Sequence, residues 1–109
     1  MAYDEGLAGR VRELLADQPG RSEKRMFGGL AFLLNGNMSV GIVKDTLMVR
    51  IGPDAYQTLL KQPHARKMDL TGRPMKGFVY VEPAGFESDE DLRRWVGHGV
   101  AYASVLPRK

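Results

Sequence analysis

Apolar positions recur along the chain with two periods, and the switches between them outline the fold. Leu7, Val11, Leu14 and Leu15 fall at helical spacing, which puts one stripe of a first helix against a core. Asp4 suits the N-cap of that helix and Glu5 its positive first turn, while Pro19-Gly20 ends it. From residue 21 to residue 51 the period falls to two. Residues 21–27 begin polar and end apolar, a first strand with Glu23 and Arg25 outward and Met26 or Phe27 turning to the core. Residues 30–34, 38–43 and 46–51 are three further β-like runs. Asn35-Gly36-Asn37 and Lys44-Asp45 separate them, and Asn and Gly tolerate the left-handed backbone that tight hairpins require. In the last run Leu47, Val49 and Ile51 share one face and Met48 and Arg50 the other. One face of the sheet is therefore expected to be the more deeply buried, without the other being fully polar.

Past this meander the helical period returns. Gly52-Pro53 opens a second helix with Ala55, Tyr56, Leu59 and Leu60 on its apolar side, and Pro63 stops it. Residues 63–74 are the least regular stretch and are expected to form a loop. Residues 75–81 suggest a last strand, with Phe78 and Tyr80 opposite Gly77, Val79 and Val81. Ser88 or Asp89 caps a final helix whose packing stripe is Leu92, Trp95, Val96, Gly99, Val100 and Ala103. Gly97 and Gly99 weaken that helix unless close packing or a kink requires them. Pro107-Arg108-Lys109 is expected to fray. The pattern predicts a two-layer α+β fold: an antiparallel sheet, made of a β-meander plus a later strand, packed by N-terminal, middle and C-terminal helices.

Composition narrows the class. A chain of 109 residues fits a single domain spanning residues 1–109, and 43% hydrophobic content argues against disorder. With no cysteine, thiol catalysis, Cys-ligated zinc and disulfides are excluded. Charges run through the first fifteen residues, so no signal peptide is expected, and no apolar run approaches the roughly 20 residues that cross a bilayer. The expected location is the cytoplasm. The net charge is +3 and the pI about 9.4, but the distribution is more telling. Residues 61–76 hold Lys61, Arg66, Lys67, Arg73 and Lys76 against Asp69 alone, and residues 82–91 then hold five acids and no base. An electrostatically two-sided molecule is expected.

Candidate chemistry is sparse. His64 and His98 have no carboxylate at helical spacing, so neither a metal site nor a cofactor is expected. The glycines match neither the dinucleotide nor the Walker pattern. Gly28-Gly29 could in principle cradle phosphate, but such loops feed a helix and this one feeds a β-like run, so a bend between strands is expected. A bulky residue forced into that bend, as in Gly28→Val, is expected to disrupt the fold. No catalytic residue is assigned.

The run Arg25-Met26-Phe27-Gly28-Gly29 resembles the N-terminal domain of the TfoX/Sxy family, bacterial proteins linked to regulation of competence genes. The likeness continues through the Asn35-Gly36 hairpin, the strand at 47–51 and the segment GRPMKGFVYV at 72–81. The resemblance implies a two-layer α+β fold and a part in transcriptional control of DNA uptake alongside other regulators. The better-known competence activators carry a second, C-terminal helical domain, whereas this chain is expected to hold one. The family offers no catalytic residues, so Arg25, Met26, Phe27, Gly28 and Gly29 are matched to its motif as shapers of the strand junction.

The leading expectation is a non-enzymatic regulatory or interaction module with protein partners, a homodimer being one form. The sequence leaves open weak, non-specific nucleic-acid binding through Arg66, Lys67, Arg73 and Lys76, the candidate contact surface. It also leaves open a small-molecule-binding or catalytic domain. No membrane partner is expected.

Overall fold

The computed structural model describes residues 3–26, 28–67 and 77–107. These residues form α1 (Glu5–Leu14), β1 (Arg21–Met26), β2 (Gly29–Leu34), β3 (Asn37–Val43), β4 (Thr46–Arg50), α2 (Pro53–Leu60), β5 (Ala65–Lys67), β6 (Phe78–Val81) and α3 (Asp89–Ser104). The strands make one antiparallel sheet in the order β1-β2-β3-β4-β6-β5.

Local signals set most of the element ends. The Asp4 carboxylate accepts from the backbone N–H groups of Gly6 and Leu7, and Ser88 Oγ accepts from that of Asp91, so α1 and α3 both begin on side-chain caps. Asn35 and Gly36, at φ 53° and 83°, form a two-residue turn that joins β2 to β3 with Leu34 opposite Asn37. Positive φ at both central residues is the turn whose twist matches the flanking strands.

All three helices lie on one face. Leu7, Val11 and Leu15 from α1 and the turn after it, Tyr56 and Leu59 from α2, and Leu92, Trp95 and Val96 from α3 meet Leu30, Phe32, Val40, Ile42, Leu47, Val49, Val79 and Val81 in one core. Each fully buried Val, Leu or Ile contributes on the order of 1.5–3 kcal/mol, so this layer carries most of the stability. The expected two-layer α+β architecture is therefore present. The other face carries a smaller apolar set, with Ala31, Met38, Met48 and Tyr80 buried and Met26, Leu33, Val43 and Phe78 partly so. The expectation that this face is not fully polar holds.

Three details differ from the sequence pattern. Ala65–Lys67, inside the stretch expected to be a loop, is the short strand β5 on the outer side of β6, while residues 68–76 lie outside the described residues. Glu23 and Arg25 are exposed as expected, yet they point to the helix side, because Glu23 pairs with Phe32 and Arg25 with Leu30. They stay exposed because β1 lies at the sheet margin. Pro107, expected to be frayed, accepts a 2.8 Å hydrogen bond on its carbonyl from Asn37 Nδ2.

Close packing explains one glycine of α3. A Cβ on Gly99 would come within 2.6 Å of the Ser39 carbonyl oxygen and 2.7 Å of Val40 Cγ1. Gly97 faces open space, and nothing in the structure explains it.

Candidate functional site

The family-like motif forms the hairpin between β1 and β2. Met26 pairs with Gly29, and Gly28 lies in the turn between them. Phe27 itself lies outside the described residues. The two glycines do different jobs. Gly28 sits at φ 72° with open space around it, so its requirement is conformational. A Cβ on Gly29 would overlap the Ile42 carbonyl oxygen, so its requirement is close backbone approach to β3. The expected crowding therefore belongs to Gly29, and Gly28→Val is strained by its backbone instead.

β1 beyond this hairpin is the long margin of the sheet, and among the described residues no strand pairs with its outer side. Its sequence is Arg21-Ser22-Glu23-Lys24-Arg25-Met26, and all but Met26 are exposed. Across it, Arg12 on α1 grips Glu23 with two hydrogen bonds, Nε to Oε2 at 2.7 Å and Nη2 to Oε1 at 2.9 Å. Hydrogen bonding to Arg12 is the main cause that holds the Glu23 carboxyl below its ordinary range, and the same bond holds the guanidinium above its own. Both side chains are well exposed, so the pair contributes on the order of 0–1 kcal/mol. Behind it opens a cleft of about 490 Å³ lined by Arg12, Leu15, Ala16, Arg21, Ser22, Glu23 and Phe32. Its floor is apolar, since Leu15 and Phe32 belong to the core, and its rim is charged.

The candidate contact surface is only partly described. Arg66 and Lys67 are neighbours on β5, so their side chains leave opposite faces of the sheet. Arg66 pairs across to Tyr80 and Lys67 to Val79. The Arg66 guanidinium stacks 4.6 Å over the Tyr80 ring and is ion-paired with Glu82. Arg73 and Lys76 lie outside the described residues. The Arg66–Glu82 pair joins the basic segment to the acidic one, so the two blocks of charge are not fully separated. Arg50, absent from the sequence candidates, joins Arg66 on the second face, its guanidinium 5.7 Å from the Phe78 ring and 5.4 Å from the Tyr102 ring.

Two further ionisable groups have structural roles. Arg10 Nη2 donates to the Phe86 carbonyl at 2.9 Å and approaches Asp89 at 3.3 Å, tying α1 to the start of α3. His98 packs edge-on against Trp95, and burial, with Arg94 adding, lowers its pKa. Among the described residues no group of three or more His, Cys, Asp or Glu could hold a metal ion, and no helix is long and apolar enough to cross a membrane.

The geometry defines a helix-covered antiparallel meander with one long cationic margin. Against models of known families the chain matches the TfoX N-terminal domain over residues 13–103, from within α1 to the end of α3. The chain belongs to the TfoX N-terminal domain family. No curated protein and no solved structure matches it.

Proposed function

We propose that this protein is a non-enzymatic regulatory module that acts by contacting other proteins, in the transcriptional control of competence. Membership of the TfoX N-terminal domain family carries this reading. The ionisable groups support it, because Arg10, Arg12 and Arg66 are engaged in pairs that staple separate segments together and Arg94 pairs with Asp91 within α3. Groups so engaged are poorly placed to move protons or attack a substrate. Nucleic-acid binding through the basic segment would need its cations on one surface, and β5 sends Arg66 and Lys67 to opposite faces.

Transcript profiling tests the proposal. Deleting the gene should change the transcripts of DNA-uptake genes, and supplying the chain from a plasmid should restore them. Unchanged transcripts in the deletion strain would overturn it.

A further inference from the structure

The sheet has two margins, and they are not alike. β5 is three residues long, and its central residue is held by Glu82 and Tyr80. β1 is six residues long, and no strand among the described residues pairs with its outer side. A free margin of that length presents backbone donors and acceptors that can template another strand.

The phase of those groups follows from the β1–β2 ladder. The Gly20 carbonyl accepts from Asn35 N–H at 2.9 Å. Backbone polar groups alternate in direction along a strand. Ser22, Lys24 and Met26 therefore turn theirs to β2, and Arg21, Glu23 and Arg25 turn theirs to the free side. The side chains of those same three residues project to the helix face, because Glu23 and Arg25 pair with the core residues Phe32 and Leu30. An added strand would thus send alternate side chains toward the cleft whose floor is Leu15 and Phe32.

Charge selects the occupant. β1 carries three cations, Arg21, Lys24 and Arg25, against the one anion Glu23, and Arg12 already engages that anion. Pairing β1 with β1 of a second copy would set two net-positive strands side by side, which is unfavourable. We propose that β1 is a docking edge for an extended acidic segment of a partner protein. The segment adds to the sheet through main-chain hydrogen bonds and places an apolar side chain in the α1–β1 cleft. This mode is strand addition, with affinity from the backbone and specificity from alternate side chains. The inference rests on the interaction-module reading above and adds its surface and the chemistry of its partner.

The test uses a fluorescein-labelled ten-residue peptide, Glu-Thr-Val-Thr-Glu-Thr-Val-Thr-Glu-Thr, which sets Glu and Val on one face, beside Arg21 and Arg25 and over the cleft, and Thr on the other, followed by fluorescence anisotropy with the full chain. Binding should weaken with salt and should be lost when every Glu is replaced by Lys. Two further peptides carry N-methyl groups on one or the other set of alternate amides. Only the set that turns to β1 should abolish binding, which separates strand addition from plain charge attraction. The double variant Arg21→Glu/Arg25→Glu keeps the Arg12–Glu23 pair and should fold, as circular dichroism would verify. It should bind the Glu/Val peptide about tenfold or more weakly and acquire affinity for the Lys/Val peptide. Should that variant not fold, the N-methyl comparison on the native chain decides alone. No binding of the Glu/Val peptide at millimolar concentration, or equal binding of both N-methylated forms, would overturn the proposal. So would a native dimer that becomes monomeric in the charge-reversed variant, because the occupant would then be a second copy. Failure here with an altered transcript profile in the deletion strain would sink only the docking edge, and the opposite outcome would sink only the regulatory reading.

Discussion

Two adjacent glycines at the β1–β2 turn have different reasons to be glycine. Gly28 needs a positive φ but has room, so Gly28→Ala should cost about 1–2 kcal/mol, the penalty of a left-handed non-glycine residue. Gly29→Ala places a Cβ on the Ile42 carbonyl oxygen, and backbone cannot yield cheaply, so it should cost more than Gly28→Ala. Urea unfolding of both variants checks the order, and equal losses would show that the close approach does not matter. His98 supplies a pH signature. Its folded pKa is lowered by burial and by Arg94, so protonation favours the unfolded chain. Its contribution is present above the ordinary His pKa of about 6.5 and is lost as pH falls through the lower folded value. The urea midpoint of the native chain should fall between pH 7.5 and pH 5 by more than that of His98→Gln. Parallel pH profiles would show that the histidine carries no such linkage.

At the scale of elements, α3 offers a matched pair of substitutions. Gly97→Ala meets open space and should gain up to ~1 kcal/mol of helix propensity. Gly99→Ala has the same propensity gain but drives a Cβ to 2.6 Å from the Ser39 carbonyl oxygen, so it should be net destabilising. Thermal melts of the two variants should move in opposite directions, and a shared upward shift would mean that α3 does not press on β3 as closely as described. The element order was legible from local chemistry: Asp4 and Ser88 as caps, Pro53 at a helix start, Asn35-Gly36 as a hairpin and period two through Leu47, Val49 and Ile51. β5 was not, because three residues beside a proline and a histidine at φ 68° give alternation no room to show. Its pairing partner β6 lies well downstream, and that long-range pairing defines the strand. The same limit hid the site. Arg12 with Glu23, Arg66 with Glu82, and Arg50 with Phe78 and Tyr102 are meetings between distant positions. Sequence spacing shows which residues share one element's face, not which element comes to rest beside it. The family motif was readable in sequence, but the division of labour between Gly28 and Gly29 needed the position of β3.

For the whole molecule, helices on one face leave function to the margins and the second face of the sheet. The cationic segment singled out from composition is divided by β5, with Arg66 taken up by Glu82. The longer margin, β1, keeps its cations on a strand with one unpartnered side among the described residues. A regulatory module of the TfoX N-terminal family acting through that margin accounts for both observations. One transcript measurement across three strains tests this most directly: the deletion strain, the deletion strain carrying the native chain, and the deletion strain carrying Arg21→Glu/Arg25→Glu at equal protein level. The predicted result is that the deletion and charge-reversed strains share one profile and the native chain restores another. Full restoration by the charge-reversed chain, or one profile common to all three strains, would contradict the account.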